Sequence, residues 1–115
     1  MDEQVRKTFD DLAAGAPVGD LSGMGRKLLY ACFEAGGDPD PEQRLAALRV
    51  VANLEPSDQV RVLDPLIRDV DPRVRRYAFN LACAARKDGL SVLRTAVAAE
   101  DTDLAVDALS LLVTQ

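Results

Sequence analysis

The sequence predicts an all-α fold of about seven helices in antiparallel pairs. Three observations lead there. The segment Asp71-Pro72-Arg73-Val74-Arg75 recurs, altered, from Asp40-Pro41 31 residues earlier and from Asp101-Thr102 30 residues later. In that register Ala47, Ala78 and Ala108 coincide, as do Leu48, Phe79 and Leu109, and Val50, Leu81 and Leu111. A period near 30 residues is the mark of stacked helical units, none of which hides its apolar stripe alone. Second, the apolar runs, Leu48 to Leu54 included, fit helical spacing better than strand alternation. Third, aromatic residues are 4% of the chain and Trp is absent. The core is therefore built from Ala, Leu and Val, whose thin side chains suit close helix-on-helix packing.

Taken in order, a first helix over 2–14 carries Val5, Phe9, Leu12 and Ala13 on one face, with Asp2 and Glu3 at the positive end of its dipole. Gly15 to Gly19 end it. A second, over 20–35 with Asp20 as N-cap, presents Leu21, Met24, Leu28, Cys32 and Ala35, with Leu29 and Phe33 beside them. Gly23 and Gly25 weaken its first turn. Asp40-Pro41 restarts the chain, Asp as cap and Pro at the first helical position, where the missing N–H costs nothing. That third helix runs to about Asn53 on Leu45, Ala47, Leu48, Val50, Val51 and Leu54. A fourth, over 58–69, buries Val60, Val62, Leu63, Leu66, Ile67 and Val70, with a kink or short break expected at Pro65. Asp71-Pro72 starts a fifth, to about Ala85. After a turn at Lys87-Asp88-Gly89, a sixth over 90–99 buries Leu90, Leu93, Ala96 and Val97. Asp101-Thr102-Asp103 caps a seventh that continues almost to Gln115.

At 115 residues the chain is predicted to be a single domain: a helical pair over 1–37, repeats over 40–70 and 71–100, and an unpaired terminal helix over 101–115. No run approaches the roughly 20 apolar residues that span a bilayer, and Met1-Asp2-Glu3 reads as the opening of a soluble chain without a leader. Cys32 and Cys83 sit among apolar neighbours and are expected as buried small hydrophobes in a reducing cytoplasm. The chain holds no His, which removes His-based acid/base catalysis, Ser-His triads and His-ligated metal together.

Helix pairs opening on Asp-Pro-x-Val-Arg resemble HEAT repeats, closest to the short units of the phycobiliprotein-lyase type. The residues that carry this are Leu66, Ile67, Asp69, Asp71, Pro72, Val74, Arg75, Ala78 and Leu81. The copy from Asp40 keeps Pro41, Arg44, Ala47 and Leu48 but has Gln43 in place of Val. The last copy has Leu104 for Val and Ala105 for Arg. The likeness covers about residues 40–115 and implies a right-handed α-α superhelix, a HEAT-like, armadillo-like solenoid. It also implies that Arg44 and Arg75 pair with an aspartate of an adjoining repeat: Asp40, Asp69 or Asp71.

Enzymatic relatives of that fold fit poorly. Deoxyhypusine hydroxylases hold iron with paired His-Glu motifs, absent here. HEAT-like DNA glycosylases use a strongly basic groove with Trp, whereas this chain has net charge −5. Nothing marks a bilin pocket of the lyase kind. No catalytic residue, cofactor or metal is predicted, and paired carboxylates such as Asp10-Asp11 are explained by helix ends.

Charge is distributed unevenly. Residues 1–43 carry net −5, residues 44–94 net +4, and residues 95–115 four acids and no base. The central band of Arg44, Arg49, Arg61, Arg68, Arg73, Arg75, Arg76, Arg86, Lys87 and Arg94 is either a solvated, salt-bridged surface or a docking face for an acidic protein segment. Flanking acids disfavour nucleic acid. The seventh helix has Ala105 and Val106 where the fifth has Arg75 and Arg76. It is expected to leave apolar surface bare, for a partner, for a second copy, for closure within the monomer or for the next unit of a longer array. The expected function is therefore a non-enzymatic protein–protein interaction module of a bacterial-type cytoplasm: an adaptor, scaffold or small chaperone. Its partner-binding residues are Gln59, Asp64, Arg68 and Arg94, with Thr95, on the inner face, and Ala105, Val106, Leu109 and Leu112 on the last helix. A lyase-type subunit or accessory is the alternative, and a nucleic-acid binder a more distant one.

Overall fold

The computed structural model describes residues 3–19, 21, 23–98 and 101–113, the side chains of residues 86 and 87 excepted. Among them the chain is all-α, with no strand. The order is α1 (Glu3–Ala13), α2 (Gly25–Gly36), α3 (Pro41–Val51), α4 (Pro56–Leu66), α5 (Pro72–Ala84), a 3-10 helix (Arg86–Gly89), α6 (Leu90–Val97) and α7 (Thr102–Val113). Two compact units result, one through Val62 and one from Leu63, dividing within α4.

In the first unit α2 packs on α3, and α1 packs on both. Val5 and Phe9 of α1 meet a core of Leu28, Leu29, Ala31, Cys32 and Ala35 from α2 and Leu45, Ala47, Leu48, Val50 and Val51 from α3. Ala31, Ala35 and Ala47 at the seam let the backbones approach. Cys32 is fully buried, and its Sγ lies 3.8 Å from the Ala47 carbonyl oxygen, to which it donates. Burial pushes its thiol up to about 12. α2 starts at Gly25, five residues after the expected position, because Gly23 takes a left-handed φ of 78° that no helix contains. The expected Asp20 cap lies outside the described residues, as do Asp2 and the last residues of the seventh helix.

α4 also departs from expectation. Pro56 takes the first helical position, and the Glu55 carbonyl accepts from the amides of Asp58 and Gln59. The helix therefore begins two residues before Asp58. It stops at Leu66, not Asp69, directly after Pro65, which has no N–H to offer the Arg61 carbonyl. Pro65 lies inside the last turn, and beyond it the Ile67 amide still donates to the Leu63 carbonyl. Val70 is consequently in the loop and 88% exposed instead of buried, and Val60 is half-buried.

In the second unit α5 packs on α6 and α6 on α7, with the 3-10 helix against α5 and α6. Val74, Ala78, Phe79 and Ala82 face Val92, Leu93 and Ala96, and Leu104 and Ala108 complete the core from α7. Burying a side chain such as Leu104 contributes roughly 2–3 kcal/mol. Gly89 is required where it stands: a Cβ there would collide with the Ala82 backbone carbonyl. Leu90, Val97 and Cys83 are half-buried rather than buried. Partial desolvation still raises the Cys83 thiol.

Candidate functional site

The repeated start signal produces the same local structure twice. Asp40 caps α3 by accepting from the Glu42 amide at 3.0 Å, and Asp71 caps α5 by accepting from the Arg73 amide at 2.8 Å. One step upstream, Asp38 Oδ1 accepts from the Asp40 amide at 2.8 Å and Asp69 Oδ1 from the Asp71 amide at 2.9 Å. The arginine four residues after each cap then folds back. Arg44 Nη1 donates to the carbonyls of Asp38 and Pro39 at 2.8 and 3.0 Å. Arg75 Nη1 donates to those of Asp69 and Val70 at 2.9 and 3.2 Å. Asp-x-Asp-Pro-x-x-Arg is thus one interlocked unit: two carboxylates order the turn, proline sets φ, and a guanidinium ties down the incoming strand of loop.

Arg75 also uses its remaining edge. Its Nε donates to Asp101 Oδ2 at 2.8 Å, with both side chains less than a quarter exposed. Asp101 in turn accepts from the Leu104 amide at 3.2 Å, so the pair joins the start of α5 to the cap of α7. Asp101 was not among the expected partners Asp40, Asp69 and Asp71. Asp69 meets Arg75 only through its carbonyl among the contacts described, and Asp71 serves its own helix. The Arg75 guanidinium, and then the Leu104 amide, hold the Asp101 carboxyl below the usual aspartate range. Arg73, bonding through side chain and backbone, does the same to Asp71.

Much of the basic band is spent in this way. Arg73 pairs with Asp71 at 3.0 Å, Arg76 with Asp107 at 3.0 Å, and Arg61 with Asp58 at 3.6 Å. The Arg76 guanidinium also sits 5.3 Å from the Phe79 ring centroid. Five of the nine arginines first grouped as a docking face are therefore bound to this chain's own acids, rings or carbonyls.

The predicted inner-face residues fare differently from one another. Gln59, in the first unit, donates from Nε2 to the Leu54 carbonyl at 2.9 Å, which fixes the turn into α4. In the second unit, Thr95 Oγ1 lies 3.1 Å from Asp64 Oδ1 and donates there, tying the end of α4 to α6. Arg68, in the turn after α4, and Arg94, in the last turn of α6, are exposed.

α7 carries the apolar surface. Leu104 and Ala108 point into the unit, so Leu104 is not part of any bare face. Val106 is 58%, Leu109 52% and Val113 75% exposed, at positions three and four apart along one side. Half-buried Ala105 and Leu112 flank them, and Asp103 and Asp107 border the opposite edge. Four predicted partner-binding residues, Ala105, Val106, Leu109 and Leu112, are thus brought together. Val113 joins them.

α2 offers a second uncovered surface. Phe33 is at the surface rather than beside the apolar stripe, with Tyr30 one turn before it. The wheel position of Tyr30, among Arg26, Lys27 and Glu34, was the available signal. Near the start of α2 a cavity of about 310 Å³ is lined by Leu21, Leu28, Asn53, Leu54, Glu55 and Asp58. Among the described residues no group of Cys, Asp and Glu is arranged to hold a metal ion, and no helix is long and apolar enough to cross a membrane. No protein-family model matches the chain, and no curated protein or solved structure is similar to it.

Proposed function

We propose that this chain is a non-enzymatic, HEAT-like protein–protein interaction module, an adaptor, scaffold or small chaperone, that docks a protein partner through α7. The observation that carries the reading is the apolar side of that helix: Val106, Leu109 and Val113 exposed together on an element whose opposite side is already buried. Contiguous exposed apolar surface of this kind marks an interface. The recurrence of one helix-starting unit at Asp40 and Asp71, with a third cap at Asp101, supports units stacked as in a solenoid, which present such surfaces by design. A cytoplasmic setting accords with two unpaired thiols.

Affinity purification of the tagged chain from its native host tests this. The wild type is expected to carry one stoichiometric protein that V106D/L109D loses. A co-purifying tetrapyrrole, with no protein partner, would replace this reading by the lyase one.

A further inference from the structure

α2 turns a face to solvent that its own packing does not use. Tyr30 is 60% and Phe33 36% exposed, in a chain with only three Phe and two Tyr to give to its core. Arg26 and Lys27 lie four and three residues before Tyr30, and Phe33 three after it, so all four look outward together. From α4, the Arg61 guanidinium sits 5.6 Å from the Phe33 ring centroid and presents a third cation at that edge. Among the described residues no carboxylate pairs with Arg26 or Lys27, and nothing engages the Tyr30 hydroxyl. This contrasts with Arg61, Arg73, Arg75 and Arg76, each of which has an acid of this chain beside it.

We infer that this face is a docking site for an acidic peptide segment of another protein. A carboxylate of the segment meets Arg26 and Lys27, and an apolar side chain lies on the rings of Tyr30 and Phe33. Charge complementarity selects the occupant. Two cations without acids flank two exposed rings, and Tyr, Phe and Arg are the residues in which interfaces and their energetic centres are enriched. Single-stranded nucleic acid would stack on the same rings. However, Glu34 lies one turn after Tyr30 on α2, Asp58 pairs with Arg61, and a net charge of −5 repels a continuous phosphate backbone. A short peptide needs complementarity only where it touches. The site lies on another helix than the α7 face and does not depend on it.

The probe is a short fluorescein-labelled peptide alternating glutamate with phenylalanine, titrated by anisotropy at low ionic strength, with amide chemical-shift mapping of the complex. The peptide is expected to bind and to shift the amides of α2 around Tyr30. Arg26→Glu and Tyr30→Ala each weaken it by about tenfold or more. Both side chains are exposed, and circular dichroism is the check that each variant is folded. Replacing the glutamates by glutamines abolishes binding, whereas Lys7→Glu, an equal charge change on α1, alters it less than about twofold. V106D/L109D leaves it unchanged, which separates failure here from failure of the α7 reading. Absence of binding, shifts confined to other helices, an equal loss in Lys7→Glu, or tighter binding of oligothymidylate at the same amides would each overturn the proposal.

Discussion

Arg75 does the most of any single side chain, because it closes its own turn and reaches the cap of another helix. Truncating it leaves two loop carbonyls and a half-buried carboxylate without their donor. Arg75→Ala is expected to lower stability by about 1–2 kcal/mol, discounted for partial exposure, seen as a lower urea midpoint with an unchanged slope. The acid side follows from the depressed carboxyls of Asp101 and Asp71. A carboxyl held below its ordinary value of about 3.9 contributes fully above that pH and loses its contribution as the pH falls through the folded value. Stability of the wild type should therefore fall below about pH 4 more steeply than that of Asp101→Asn. An equal acid slope in the two would show that the pair is not coupled to folding. The thiols make a second residue-scale case. Cys32 is fully buried and its thiol raised to about 12, while Cys83 is half-buried. Ellman's reagent at neutral pH is expected to modify Cys83 first and Cys32 only on unfolding.

At the scale of elements, two glycines predict opposite outcomes. Gly25 opens α2 with nothing within 4 Å of a Cβ and no left-handed φ, so Gly25→Ala is expected to stabilise by about 0.5–1 kcal/mol. Gly89→Ala drives a Cβ into backbone that cannot give way and is expected to cost about 1–3 kcal/mol or more. Thermal melts of both check the pair. The elements also show what the sequence made legible. Asp-Pro announced α3 and α5 to the residue, because cap oxygen and fixed φ act locally. The 3.6-residue period found the buried face of α3 for the same reason. Pro65 announced an interruption, a kink or a short break, but not its form, which depends on the packing beyond it; here α4 stops one residue later. Phe33 was misplaced because an aromatic at the border of a stripe can turn either way. Arg75's choice of Asp101 over nearer acids depends on tertiary placement, which no local spacing encodes.

For the molecule as a whole, the functional account rests on apolar surface left bare on α7, where three of the six large exposed apolar residues among those described stand on one side of one helix. The basic band, conspicuous in the sequence, lost much of its promise once its arginines proved to be internal partners. The acid-bordered side of α7 gained it. Because Asp103 borders that side and α7 carries no base, while Asp107 is already paired with Arg76, two copies meeting there would oppose their Asp103 charges. Light scattering over rising concentration is expected to return the monomer mass throughout, and a doubling that V106D/L109D removes would make a second copy the occupant. The double variant itself changes only exposed positions and should leave stability within about 0.5 kcal/mol. The most direct test places a photocrosslinking amino acid at position 109 and, as control, at the exposed Ser91 of α6, in the native host. The account predicts one discrete crosslinked protein from position 109 and none from position 91. No adduct from position 109, or the same adducts from both positions, would contradict it.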